Sequence, residues 1–271
     1  MSNLPPLTPQ VFSILSALIE DRLGLFFGPD YQDLVAEKLG PRVLERGFES
    51  MLDYYYFLRY DPEAEAELSA VADLLTVNET YFLRELAPLE VLVGEFIAPL
   101  AASGKRPRVW CAACSTGEEP ITLASLLEAR GLLDEIEIVA SDVSSRALAV
   151  ASRGAYAGRS LRAITAKPSW LVDEGGRHVV SERLRGAIEW QRVNLLDDTA
   201  VAALGVFDAI VCRNVLIYFR DETTTRVLGR LYRALTPEGR LLVGASESLI
   251  RLGTAFQCEE RRGAFFYRKT P

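Results

Sequence analysis

The chain has 271 residues, 49% of them hydrophobic, and carries a formal net charge of −7. That length holds one large domain, or an ordinary domain with a small companion, and the apolar content is ample for a packed core. The acidic balance argues against a general nucleic-acid binder, which needs a basic footprint. No apolar run reaches the ~20 residues that span a membrane, and the opening "MSNLPPLTPQ" lacks the basic and long apolar regions of a signal peptide. A cytoplasmic protein without direct membrane insertion is expected.

In chain order, "LTPQVFSILSALIEDRLGL" reads as a helix. Thr8 can cap it, Pro9 suits its first turn, Val11, Phe12, Leu15, Leu18 and Ile19 keep helical spacing, and Gly24 is a stop. A second helical region covers about 30–46, with a break or kink expected at "GP" 40–41. "SMLDYYYFLRY" continues as a helix with aromatic residues on its buried side, and "PEAEAELSAVADLL" makes another. About the first 75 residues thus form an all-helical unit. After a helix near 86–101 the polar "SGKRPR" leads into the strand "VWCAA". There follow a helix at 119–130, the strand "IEIVASD", a helix from Ser144, the strands within "IEWQRVNLL" and "FDAIVCRN", a helix near 222–235 and the strand "RLLVGAS". Strands alternating with helices predict a doubly wound parallel α/β sheet. "TAFQCEERRGAFFYRK" reads as a terminal hairpin that adds an antiparallel strand.

Four cysteines and one histidine are present. Cys111 and Cys114 form a C-x-x-C, but His178, Cys212 and Cys258 are scattered singly, so no metal site is expected. Cys111 and Cys212 lie in apolar strands, where a free thiol is a small buried hydrophobe.

The loop "CAACSTGEEP" occupies the position of a nucleotide-binding turn, beyond the carboxyl end of the first strand. It has a single glycine, Gly117, followed by Glu118 and Glu119, where a dinucleotide fingerprint would carry three spaced glycines. Carboxylates at a helix start suit the dipole but repel a pyrophosphate. A cationic or zwitterionic nucleoside therefore fits better than NAD, and S-adenosylmethionine has that chemistry. Asp142, at the end of the second strand, stands where a carboxylate accepts ribose hydroxyls, although a helix cap is an equally good reading of that residue by itself.

Four further stretches, "NETYFLRE" (78–85), "VNLL" (193–196), "FDAIVCRNVLIYF" (207–219) and "LTPEGRLLVGASESL" (235–249), join "AACSTGEEP" and "ASDVSSRAL". Together they resemble, in consistent order along nearly the whole chain, the CheR-type chemotaxis-receptor methyltransferases. The resemblance implies a class I S-adenosylmethionine-dependent methyltransferase sheet with an antiparallel C-terminal hairpin. It also implies a helical substrate-docking domain at 1–75 and a catalytic domain at 76–271 with a small β-subdomain at 168–192. The implied activity, in a bacterial signalling enzyme, is methyl transfer to glutamate side chains on the cytoplasmic helices of methyl-accepting chemoreceptors. The products are γ-methyl esters and S-adenosyl-L-homocysteine.

Carried over by motif, Asn78, Thr80 and Arg84 lie against the cofactor; Glu119, Asp142, Asn194, Leu195, Arg213 and Asn214 hold its tail, ribose and adenine; Arg84 and Tyr218 position acceptor and methyl. By spacing alone, Arg84 could equally pair with Glu79 or Glu85, and Tyr218 could be core. Two motifs depart from the family pattern: Ile121, then Thr122, follow the loop where an aromatic is usual, and Leu83 replaces another aromatic. Both read as packing changes. Lys38, Arg42 and Arg46 recur every four residues, a one-face helical stripe that suits an acidic partner helix. A solvated face is the bland reading of that stripe; the family's basic N-terminal helix favours docking. The competing functions are a non-catalytic cofactor-binding sensor or scaffold and a methyltransferase with another acceptor.

Overall fold

The computed structural model describes residues 5–270, so the first four residues of the segment read for a targeting signal lie outside the described residues. The chain divides into two compact units: residues up to Val77 together with Tyr218–Thr223, and Asn78–Ile217 together with the chain from Thr224 onward.

In the first unit, α1 (Pro9–Leu23) starts where the Thr8 hydroxyl accepts the Val11 N–H at 3.4 Å, and stops at Gly24 in the left-handed region. A 3-10 turn at Pro29–Tyr31 leads into α2 (Gln32–Glu45). Of the break or kink expected at Gly40–Pro41, the break does not occur: α2 continues through Pro41. An interior proline removes one backbone hydrogen bond, but Val35, Leu39 and Val43 on the same face are fully buried, and their packing outweighs it. α3 (Met51–Tyr60) is capped by Ser50, whose hydroxyl accepts the Asp53 N–H at 3.1 Å, and α4 (Ala64–Leu75) packs on it. The aromatics of α3 do not all face inward. Tyr54 is buried, whereas Tyr56 and Tyr60 are exposed and stacked, ring centroids 6.2 Å apart. At 100° per residue they share the face opposite Met51, Tyr54 and Leu58.

The basic stripe of α2 turns out to be tied into this unit. Arg42 donates two 2.7 Å hydrogen bonds to the buried Glu67 and another, at 2.9 Å, to Glu45. Arg46 lies 3.4 Å from both Glu67 and Glu63, and the Lys38 ammonium donates to the Leu74 carbonyl at 3.0 Å. Tyr54 donates to the same Glu67 at 2.7 Å. Although burial pushes the Glu67 carboxyl up, the Arg42 and Tyr54 hydrogen bonds outweigh it and hold the group below the usual carboxylate range.

The second unit opens with a helical run, α5 (Leu86–Val91), a π-helical segment (Leu92–Ile97) and α6 (Ala98–Ala102). The alternation then proceeds as β1 (Arg108–Ala112), α7 (Glu118–Glu128), β2 (Glu137–Asp142) and α8 (Ser145–Arg153). An insert follows, with β3 (Ala155–Tyr156), β4 (Leu171–Glu174), β5 (Arg177–Val180) and α9 (Glu182–Gly186). The chain ends as β6 (Ile188–Arg192), α10 (Asp198–Ala203), β7 (Phe207–Cys212), α11 (Asp221–Ala234), β8 (Leu235–Val243), β9 (Phe256–Arg261) and β10 (Ala264–Lys269). The main sheet has the order β6-β2-β1-β7-β8-β10-β9, with β10 antiparallel to both neighbours.

The insert forms a separate three-stranded antiparallel sheet, β3-β5-β4, whose β4–β5 turn is Gly175–Gly176, both at positive φ. Residues 188–192, enclosed in the subdomain bounds that the resemblance implies although "IEWQRVNLL" also reads as a strand of the alternation, form the edge strand of the main sheet, pairing Ile138 with Ile188 through Asp142 with Arg192. The small sheet thus comprises only β3, β5 and β4.

Register fixes where a ligand can sit. Ala112 lies beside Ser141 on one side and Cys212 on the other, and Cys212 lies beside Val243. The carboxyl ends of β1, β2, β7 and β8 are therefore level. The chain steps from β1 outward to β2 and returns to β7 on the other side, which makes the β1/β7 gap the topological switch point. Beneath it, Val109, Cys111, Ile138, Ala209, Val211 and Leu242 form the centre of the apolar core.

Candidate active site

Three loops converge beyond those strand ends. The first, Ala113–Gly117, follows β1. Its Ser115 N–H donates to Asp142 Oδ2 at 2.8 Å and its Ser115 hydroxyl to Asn78 Oδ1 at 3.3 Å. Asp142 also accepts the Ser144 N–H at 2.8 Å through Oδ1, while Ser144 itself caps α8 by accepting the Ala147 N–H. The capping role thus belongs to Ser144, and Asp142 is a carboxylate fixed at the end of β2. Gly117 has φ +91°, and a Cβ there would stand 2.6 Å from Ala151 Cβ and 3.0 Å from the Trp190 ring. No larger residue fits between loop, α8 and β6.

The second loop, 78–85, is stitched to the sheet domain by the Leu83 N–H on Thr122 Oγ1 at 3.2 Å and the Phe82 N–H on the Ser160 carbonyl at 2.9 Å. Thr122, which reads as a packing change in the sequence, is thus a hydrogen-bonding link. Thr80 is half-buried in this loop. Arg84 pairs with neither Glu79 nor Glu85 side chain: it donates to the Glu79 carbonyl at 3.0 Å and lies 5.8 Å from the Tyr81 ring centroid.

The third loop follows β7. Arg213 is almost wholly buried and bridges Glu119 at 2.9 Å and Glu85 at 2.8 Å, with a further bond to the Arg84 carbonyl at 3.1 Å. Burial pushes the Glu119 carboxyl up, only partly offset by the Arg213 charge. Burial acts in the same sense on Glu85, but there the hydrogen bond and charge of Arg213 prevail and hold it down. Asn214 sits at φ 60° and its N–H donates to Glu247 at 2.7 Å. Asn194 and Leu195 follow β6. The Asn194 side chain accepts the Leu196 N–H at 3.0 Å, Leu195 is buried, and the preceding Val193 N–H donates to the Asp142 carbonyl. Tyr218 closes a 3-10 turn at Leu216–Tyr218 and groups with the helical unit, its carbonyl accepting the Phe26 N–H at 2.9 Å.

Sequence reasoning missed two carboxylates. Glu85 reads there only as a partner for Arg84, and it turns instead to Arg213. Glu247 has the look of an ordinary loop acid; it is buried and accepts backbone N–H groups from Asn214 (2.7 Å), Leu216 (2.7 Å), Gly244 (2.8 Å) and Ile217 (3.4 Å). No spacing signal marks a carboxylate three of whose four partners are backbone amides 30–33 residues away. Strain is equally invisible in sequence. Of seven non-glycine residues at positive φ among those described, five are here: Leu83, Glu85, Ala113, Ser115 and Asn214. Such conformations cost about 1–3 kcal/mol each and persist where the surroundings impose them, commonly at functional sites.

The donor set suits a nucleoside carrying positive charge. It offers an anchored strand-end carboxylate, a zwitterion-matching Glu85–Arg213–Glu119 cluster, side-chain amides at 78, 194 and 214, and no glycine-rich phosphate cradle. Cys111, Cys114 and Cys212 are buried, and burial raises their thiol pKa values well above the ordinary range. Among the described residues no group of three or more His, Cys, Asp or Glu could hold a metal ion, and no helix is long and apolar enough to cross a membrane.

The strand order with its one reversed strand, and a carboxylate fixed at the end of β2, are those of a class I S-adenosylmethionine-dependent methyltransferase. Residues 10–76 match the family described as "CheR methyltransferase, all-alpha domain", and residues 78–265 match "CheR methyltransferase, SAM binding domain". The chain is 33% identical to "Chemotaxis protein methyltransferase 2" of Vibrio cholerae, covering 92% of this chain and 88% of that protein. It is 32% identical to "Chemotaxis protein methyltransferase 1" of Pseudomonas aeruginosa (95% and 97% covered) and 36% identical to "Chemotaxis protein methyltransferase 2" of the same species (84% and 82%). The chain belongs to the CheR methyltransferase family, and its activity is S-adenosylmethionine-dependent methyl transfer.

Proposed function

We propose that the acceptor is the side-chain carboxylate of glutamates on the cytoplasmic helices of a methyl-accepting chemoreceptor, and that the enzyme works in the cytoplasm, setting receptor sensitivity by forming γ-methyl esters. The observation that carries this reading is Arg84. Its guanidinium stands in the site loop bonded to a carbonyl and stacked beside a ring, and among the described residues it forms no salt bridge. A site cation of that kind suits an incoming carboxylate.

The rest of the chemistry agrees. S-adenosylmethionine supplies an electrophilic methyl on a positive sulfonium. A glutamate side chain, which ordinarily titrates at ~4.3, is already ionised at neutral pH and needs no general base. The chain's one histidine, His178, lies in the small sheet 2.5 Å from Asp173. The carboxylate oxygen gains the methyl as the carbon–sulfur bond breaks; the two charges cancel and no proton moves. What remains for the protein is alignment and exclusion of water, a contribution of about 7–11 kcal/mol in favourable cases. Arg84 orients the acceptor, and Tyr218 contributes one hydrogen bond near the transferring methyl. Asn78, Thr80, Glu119, Asp142, Asn194, Leu195, Arg213 and Asn214 hold the cofactor, and Arg84 lies against it as well as against the acceptor. The helical unit, with Lys38, Arg42 and Arg46, contributes to docking an acidic receptor helix.

The test is transfer of labelled methyl from S-adenosylmethionine to chemoreceptor cytoplasmic fragments, followed by mild base. Base-labile label on the receptor, lost in Arg84→Ala while S-adenosyl-L-homocysteine still binds, is expected. Base-stable label would overturn the carboxylate acceptor, and cofactor binding without transfer to any receptor fragment would favour the sensor.

A further inference from the structure

Arg84 is not the only cation at its edge of the site. The Tyr81 ring carries Arg162 with its guanidinium carbon 3.9 Å from the centroid, and Arg84 at 5.8 Å. Arg162 also bridges Glu79 at 2.7 Å. Arg159 is exposed and, among the described residues, forms no salt bridge. The segment bearing both arginines is anchored. It begins as a 3-10 turn, Gly158–Leu161, whose Ser160 carbonyl accepts the Phe82 N–H at 2.9 Å, and the buried Ser160 side chain hydrogen-bonds the buried Glu118. Of these arginines Arg162 alone bonds the exposed Glu79 carboxylate, while Arg84 bonds its backbone carbonyl; Arg162 first, then the charges of Arg159 and Arg84, hold that carboxyl below the usual range. This edge is positive on a chain of net charge −7.

We propose that Arg159 and Arg162 form a second docking surface, within the catalytic unit, for carboxylates that flank the acceptor glutamate on its helix. The proposal rests on the acceptor reading above. Arg84 takes the acceptor carboxylate, and the other two take its acidic neighbours. Two groups on one ring at these distances lie within about 10 Å of each other, the span of one to two helical turns of 5.4 Å. Side chains one or two turns from the acceptor on the same helix face are therefore in reach. Holding Arg162 against the Tyr81 ring and Glu79 pre-orients it, which reduces the ordering cost of each contact.

The experiment measures methylation of a chemoreceptor cytoplasmic fragment by Arg159→Ala/Arg162→Ala, with S-adenosyl-L-homocysteine affinity by calorimetry and the melting midpoint as controls. The KM for the fragment should rise about tenfold and lose part of its dependence on salt, as electrostatic docking requires, with S-adenosyl-L-homocysteine affinity and melting unchanged. Arg159→Lys/Arg162→Lys should recover part of the loss, and Glu79→Gln, which removes the competing carboxylate, should lower KM. An unchanged KM in the double alanine variant overturns the docking surface and leaves the acceptor reading intact. Failure of the wild-type enzyme to place base-labile methyl on any receptor fragment overturns both. A fall in S-adenosyl-L-homocysteine affinity parallel to the KM change assigns these arginines to the cofactor site and overturns the proposal.

Discussion

Removing the carboxylate of Glu247 tests how the post-β7 loop is held. Three backbone N–H groups, from Asn214, Leu216 and Gly244, meet it at 2.7–2.8 Å, and the group is buried. Hydrogen bonds to a charged partner contribute about 1.5–3 kcal/mol each, and a buried donor left unpaired costs about 1–3 kcal/mol. Glu247→Ala orphans all three and should destabilise the protein by on the order of 5 kcal/mol, a large part of the 5–15 kcal/mol typical of a folded domain. Glu247→Gln is the sharper probe. It keeps one acceptor oxygen, so one set of donors, either Asn214 and Gly244 or Leu216, faces an amide NH2 instead. A loss of about 2–3 kcal/mol is expected, several degrees in melting midpoint. Because Asn214 is held at φ 60° next to that bond, its release should also weaken S-adenosyl-L-homocysteine binding at least tenfold. Calorimetric titration and thermal melting measure the two effects. A glutamine variant that melts within a degree of wild type and binds the product normally would show that the loop does not depend on this carboxylate.

Three further expectations concern other parts of the chain. Gly117→Ala places a Cβ 2.6 Å from Ala151 at φ +91°, so cofactor affinity should fall at least tenfold by titration, whereas Gly229→Ala in α11, where the nearest atom is 3.8 Å away, should be neutral or add about 0.5–1 kcal/mol. Glu67→Gln should cost about 2 kcal/mol at pH 7, discounting for the part-exposed Arg42. Since the folded-state pKa of Glu67 is depressed, its contribution is fully present above the unfolded value of ~4.3 and is lost as pH falls through the lower folded value; the wild-type and variant melting points should converge on acidification towards pH 3, and an equal gap at pH 7 and pH 3 would refute the assignment. Pro41→Ala restores an amide donor in mid-helix and should raise the unfolding midpoint, by about 1–3 kcal/mol in denaturant titration; no gain would mean α2 has already adapted to the missing bond.

Local physics made much of this protein legible in its sequence. Thr8 and Gly24 bound α1 because capping is decided within one turn, and Ser144 starts α8 for the same reason. Alternating apolar strands and helices announced the doubly wound sheet, and the acid-bearing loop after "VWCAA" announced a ligand without a phosphate at that point. The family's motifs singled out residues of these loops, and Asn78, Glu119, Asp142 and Arg213 among them take part in the hydrogen bonds and ion pairs that tie the loops together.

Tertiary structure alone decided the rest, because the deciding partners are far apart in sequence. The inserted sheet ends before Ile188, a boundary set by the pairing of residues 188–192 with β2, some 50 positions earlier. Arg42 is tied to Glu67 across 25 residues, so a stripe that reads as free docking charge also holds the helical unit together. Glu85 meets Arg213 across 128 residues and Glu247 collects amides from about 30 residues away. Helical spacing and capping report contacts within a turn or two; a buried charge is specified by whichever distant group the fold brings to it, and no window of sequence contains both.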